Sequence, residues 1–117
     1  MPAGAIAYRG HVPMITAIVL YDLPESIGRR ECLEHFTRIA PDFLTIPGFI
    51  RKQFIYEPGS RVAGGAYTWE SREAAERFYS GEWLDGIRAR YGSEPMITYF
   101  DTLALADRET GRAGGVE

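Results

Sequence analysis

Apolar positions along the chain alternate between a two-residue and a three-to-four-residue period, and the switches predict the elements. Met14-Ile-Thr-Ala-Ile-Val-Leu-Tyr21 is β-branched and apolar on both alternating faces, as expected of a central strand covered on both sides. Leu23-Pro24-Glu25-Ser26 ends it, and Ser26 is a candidate cap for a helix starting near Ile27. Leu33, Phe36, Ile39 and Phe43 then recur at helical spacing, with Pro41 predicting an end or kink near Ala40. Pro47-Gly48 is turn chemistry. Phe49 to Tyr56 reads as a strand whose internal charges, Arg51 and Lys52, mark an exposed or edge position. Pro58-Gly59-Ser60 turns a hairpin into the strand Arg61 to Glu70, whose interior is uncharged. Ser71 caps a second helix, Gly81 breaks it, and Trp83, Leu84, Ile87 and Tyr91 restart its stripe until Gly92. Pro95 precedes a last strand, Met96 to Leu105.

The order is β-α-β-β-α-β with the second helix in two pieces, which predicts a ferredoxin-like α+β fold with an antiparallel sheet. Residues 1–13 read as a loose leader, 14–106 as the domain, and 107–117, polar and glycine-rich, as a disordered tail. Helices cover one face of such a sheet, yet the first and last strands are apolar on both. A second copy's sheet is the expected cover, giving a two-fold homodimer.

Composition narrows the class. The chain has 117 residues, 45% hydrophobic and 25% charged, suited to one globular domain. Its formal charge is -3 with acids and bases interleaved; without a basic stripe, no nucleic-acid partner is expected. Cys32 is the single cysteine, so an internal disulfide and a cysteine-based zinc site are excluded. The longest apolar run is far below the ~20 residues of a membrane helix, and nothing resembles a secretory signal. A cytoplasmic location away from membranes is therefore expected.

Met14-Ile-Thr-Ala-Ile-Val, Ala40-Pro41, Ile46-Pro47-Gly48-Phe49-Ile50-Arg51-Lys52, Gly64-Gly65-Ala66-Tyr67-Thr68-Trp69-Glu70-Ser71 and the segment Ala75 to Trp83 together resemble the YdhR-like monooxygenase family. That family belongs to the dimeric α/β-barrel group, which includes antibiotic-biosynthesis monooxygenases. The resemblance spans about Met14 to Asp101 and implies the dimeric barrel and a greasy pocket. Its better understood relatives oxidise phenol-like aromatics with molecular oxygen and without metal or flavin. Some of these use a pocket asparagine beside a tryptophan, and a haem-degrading branch uses an Asn–His–Trp set. This chain contains no asparagine.

Cofactor-free oxygenation asks for a dry cavity, an electron-rich substrate form and donors placed where charge develops. Tyr67 and Trp69, two apart on a strand, leave the same face and offer flat walls with an O–H and an N–H. They are candidate catalytic groups; packing in the core or at a dimer interface is the other reading. Gly64 and Gly65 are expected to leave free space beside them. Phe36, Trp83 and Tyr99 are candidate walls or core residues. His35 is a candidate proton acceptor at the border of core and solvent, or a surface histidine. Arg88 is a candidate for steadying an anionic substrate, or part of a solvated face with Asp85 and Glu94. Cys32 reads as a small buried hydrophobe. His11 lies in the leader, so no metal site is expected; with no phosphate-loop spacing after Gly64-Gly65, no nucleotide cofactor is either.

The leading functional expectation is a cofactor-independent monooxygenase for a small hydrophobic or aromatic compound. Alternatives are a non-oxidative isomerase or cyclase of the same fold, and a non-catalytic binder of hydrophobic ligands. All three need the same cavity.

Overall fold

A computed structural model of the chain describes residues 14–116; the leader expected over residues 1–13 lies outside them, apart from its boundary with Met14. The elements run β1 (Met14–Asp22), α1 (Arg29–Ile39), a 3-10 helix (Ala40–Thr45), β2 (Phe49–Glu57), β3 (Val62–Trp69), α2 (Arg72–Phe78), α3 (Gly81–Tyr91), β4 (Met96–Thr102), β5 (Ala104–Asp107) and β6 (Arg112–Gly115). Four strands form an antiparallel sheet in the order β2-β3-β1-β4, the ferredoxin-like arrangement. The two uncharged strands are central, and β2 is an edge, as its charges suggested.

Local chemistry sets the helix ends. Ile27 N–H closes a turn onto the Pro24 carbonyl at 3.0 Å, so α1 starts later than Ser26 suggests. Its first turn is tied instead by the Glu31 carboxylate, which accepts from Gly28 N–H at 2.9 Å. Pro41 cannot donate to the ladder, so α1 ends at Ile39 and a 3-10 turn carries Phe43 over the sheet. The Ser71 hydroxyl accepts from Ala74 N–H at 3.1 Å and caps α2.

One sheet face carries the core. Ile15, Ala17, Val19 and Tyr21 of β1 and Ala63, Tyr67 and Trp69 of β3 are buried beneath α1, α2 and α3 with Cys32, Phe36, Phe43, Ala74, Ala75, Tyr79 and Tyr91. Leu33 and Leu44, which share the helical stripe, point outward and are exposed. The opposite sheet face has no helix on it. There Ile18, Leu20 and Ile55 are half-buried, while Met96 and Phe100 are 68% and 53% exposed.

The C-terminal segment corrects an expectation. Instead of a disordered tail, β5 and β6 pair as a hairpin with Leu105 opposite Gly114. The Asp107 carboxylate accepts from Glu109 N–H at 3.0 Å, and Gly111 at φ +71 completes the turn. Arg51 on β2 pairs with Asp107 at 2.9 Å, and Val116, fully buried, donates its N–H to the Leu103 carbonyl. Turn chemistry and one long-range ion pair order a stretch whose composition alone suggested none. Leu103 lies in the break between β4 and β5, so the last predicted strand is two.

Candidate active site

The cavity follows from the way the 3-10 helix and α3 straddle the sheet. Between them a space of about 270 Å³ is lined by Tyr21, His35, Phe36, Ile39, Phe43, Lys52, Tyr67, Glu82, Trp83, Gly86, Ile87, Arg90 and Tyr91. That is near the lower end of the ~300–1,000 Å³ of typical ligand pockets and has room for a compound of one or two rings. Rings form most of its wall. Tyr21 and Tyr91 stack at 4.2 Å between centroids, and Phe43 meets Phe78, Phe49 and Tyr67 at 5.6–6.2 Å. A wider groove of about 650 Å³ outside α1, between Leu33, Leu44 and Phe54, is open and offers no polar side chain beyond Thr37.

Four of the residues singled out in the sequence converge here: His35, Phe36, Tyr67 and Trp83. Tyr67 is 2% exposed, and burial pushes its phenol far above the ordinary range, so it stays a neutral donor. Arg38 lies 3.1 Å from Nδ1 of His35, so that nitrogen is already engaged. Burial first, then the cations Arg90, Arg38 and Lys52, lower the His35 pKa and favour the neutral imidazole.

Three other candidates lie elsewhere. Trp69 is fully buried behind Tyr67, at 5.8 Å between stacked rings, and its indole N–H donates to the Tyr79 hydroxyl at 3.0 Å. It supports the wall and does not line the space. Arg88 pairs with Glu94 and Asp85 on the solvent side of α3, the solvated-face arrangement. The Tyr99 ring carries the Arg72 guanidinium at 4.0 Å and touches Tyr79, outside the cavity.

Lys52 is the group that sequence reasoning missed. Its pattern predicts an exposed edge position beside Arg51, and Arg51 is exposed. On a strand, however, neighbours point to opposite faces, and Lys52 turns inward. Its Nζ lies 3.7 Å from the Phe54 ring centroid, 4.2 Å from Phe43 and 4.6 Å from Tyr67. No carboxylate among the described residues pairs with it. Burial pushes its amine down to about 7, while the three ring faces favour the cation and oppose that shift. The signal available in the sequence was its singularity: Lys52 is the chain's only lysine, and every other basic side chain of that class is arginine.

Gly65 is the counterpart of Lys52. The expected free space beside the glycine pair is occupied, because a Cβ at Gly65 would lie 2.6 Å from Lys52 Cε and 2.7 Å from the Tyr67 ring. At Gly64 it would lie 1.7 Å from the Val19 carbonyl oxygen. Gly64 lets the strands approach, and Gly65 makes room for the lysine stem. Among the described residues no group of three His, Cys, Asp or Glu side chains is placed to hold a metal.

An aromatic cavity between the helical layer and an antiparallel ferredoxin-like sheet, with His35, Lys52, Glu82 and Arg90 among its lining, defines a small α+β protein with a partly open, ring-lined site. The family model described as "Putative mono-oxygenase ydhR" matches residues 19–95, most of the chain, and the chain belongs to that family. Comparison with curated protein sequences finds no match. Among solved structures, a protein of unknown function from Nitrosomonas europaea is similar at 14% identity and a TM-score of 0.67, over 84% of this chain and 97% of that one. MhuD, a heme-degrader from Mycobacterium tuberculosis solved with two hemes in its active site, is 20% identical, with a TM-score of 0.61 over 80% of this chain and 99% of its own. SnoaB, a cofactor-independent oxygenase from Streptomyces nogalater, is 20% identical, with a TM-score of 0.53 over 81% and 93%. At these identities the likeness is one of fold.

Proposed function

We propose that the protein is a cofactor-independent monooxygenase that uses molecular oxygen on a small hydrophobic, aromatic compound inside the α3–sheet cavity. The carrying observation is the cavity itself: about 270 Å³ lined mainly by ring side chains, with His35 and Tyr67 in its wall. Flat apolar walls select a ring, and Phe36 and Trp83 flank it. Tyr67, held neutral by burial, donates to an oxygen on the substrate. The neutral His35 accepts a hydrogen bond at the α1 side of the cavity. Trp69 acts by holding Tyr67 in place. Membership of the mono-oxygenase family and the likeness in fold to SnoaB support this reading.

The working unit in this proposal is a homodimer of facing sheets. Ile18, Leu20, Met96 and Phe100 on the open face form an apolar patch without a cover in one subunit. Burying each large side chain is worth about 1.5–3 kcal/mol, and such patches are uncommon on monomers. A cytoplasmic setting fits a chain in which, among the described residues, no helix is long and apolar enough to cross a membrane.

Oxygen uptake by the purified protein with a panel of phenols and hydroquinones tests the activity. Uptake with a matching hydroxylated or quinone product is the expected result. Turnover without oxygen uptake would instead indicate an isomerase or cyclase, and a retained ligand without turnover a binding protein.

A further inference from the structure

The cavity holds one group whose presence its packing role does not explain. A lysine stem needs no aromatic cage to fill core space, and leucine or methionine would fill it without desolvating an amine. Here the sheet omits a side chain at Gly65 so that the stem of Lys52 lies flat across β3. The stem ends with Nζ between Phe43, Phe54 and Tyr67, at the wall of the cavity.

We propose that Lys52 is a catalytic residue of this cavity: its neutral amine takes the proton from the hydroxyl of a bound phenol-class substrate, and the resulting ammonium then holds the phenolate. The proposal rests on the reading of the cavity as a substrate site and names the substrate class that site takes. In the step, the nitrogen lone pair forms the new N–H bond. The O–H bond breaks and leaves its electron pair on oxygen, so charge is conserved and nothing is oxidised or reduced.

The surroundings decide the direction of transfer. From β3 the amine faces the neutral Tyr67, and from α1 the neutral His35 with Arg38 behind it. From β1 and α3 the cavity presents Tyr21, Tyr91, Arg90 and Glu82. Glu82 makes no ion pair with Lys52, so no anion among the described residues offsets the ammonium. An empty cavity therefore disfavours the charged lysine, and the phenolate that the transfer leaves in the cavity is the counter-ion that stabilises it. A base of about 7 is matched to phenols, whose own acidity lies a few units weaker, and the new ion pair beside the buried amine supplies the difference. The surrounding rings accept a flat partner and then shield the electron-rich anion from water.

The single lysine makes the test direct. Protein carrying ¹³C-labelled lysine gives one side-chain Cε resonance to follow, and 3-nitrophenol reports its own ionisation by its absorbance. At about pH 8 the free amine and the free phenol are both mostly neutral, and saturation with 3-nitrophenol is expected to move the Lys52 Cε resonance from the amine to the ammonium position. The bound phenol should ionise at a pH lower by about one unit or more, a tenfold shift. Lys52→Met should abolish that shift, and the wild-type resonance gives the answer even if the variant folds poorly. Binding of the neutral phenol with an unmoved lysine resonance would overturn the proposal, as would failure of 3-nitrophenol to bind at all. Neither readout involves oxygen, so an absence of oxygen uptake would sink the monooxygenase reading while leaving this one standing.

Discussion

Lys52 and Tyr67 are register partners across the β2–β3 ladder, with the lysine Nζ 4.6 Å from the centre of the tyrosine ring. The pair joins an edge strand to a central one and sets a titratable amine against a phenol that burial keeps neutral. Because burial lowers one pKa and raises the other, the two side chains make the site's behaviour depend on pH in a defined direction.

Stability should rise with pH across the Lys52 window. Its folded pKa of about 7 lies below the ~10.4 of an unfolded lysine, so between those values the unfolded chain binds more protons. The wild type should therefore gain stability relative to Lys52→Met from pH 7 to pH 10, by on the order of a few kcal/mol. Urea unfolding of both proteins at several pH values measures this, and the buried tyrosines, common to both, cancel. A flat difference would mean that the amine is not desolvated in the folded state.

Gly65→Ala should cost roughly 1–3 kcal/mol through overpacking, since the new methyl meets Lys52 Cε and the Tyr67 ring. Gly64→Ala should cost more, because the obstacle there is the Val19 backbone carbonyl, which cannot swing aside. Thermal melts rank the two. At Gly65 the lysine end is the easier part to move, so the same variant should also expose Lys52 to amine-labelling reagents.

The Trp69–Tyr79 hydrogen bond is buried on both sides. Tyr79→Phe leaves the indole N–H without its acceptor and should cost about 1–3 kcal/mol. Combining it with Trp69→Phe should cost less than the sum of the single changes, since the second removes the stranded donor. Denaturant unfolding of the four proteins closes the cycle. Full additivity would show that the bond contributes nothing of its own.

Phe100→Glu places a charge on the open sheet face, on the edge strand β4 opposite Thr16 of β1. In the proposed dimer that position is buried against the partner's sheet. The variant should sediment as a monomer at micromolar concentration while the wild type sediments at twice the chain mass. A wild-type monomer would remove the facing-sheet assembly from the proposal.

The sequence by itself determined the order of elements, the split second helix, the central place of the first strand and the edge place of the second. These follow from short-range rules: alternation in Met14 to Tyr21, proline at Pro41, and the caps at Ser71 and Gly92. Phe36, Tyr67 and Trp83 were legible as candidates because their period puts them on inward faces, and His35 because it is the one histidine inside an expected element. Only the tertiary structure decided which of the candidates share a space. Trp69 and Tyr99 have the right chemistry, but packing commits one to Tyr79 and the other to Arg72. The tail 107–117 reads as disordered, against the hairpin found within it, because composition carries no record of a long-range partner such as Arg51. Lys52 was hidden for a related reason: a charged residue on an edge strand is solvated in almost every local context. Its burial requires Gly65, Phe43 and Tyr67, distant in sequence, to converge on one strand position.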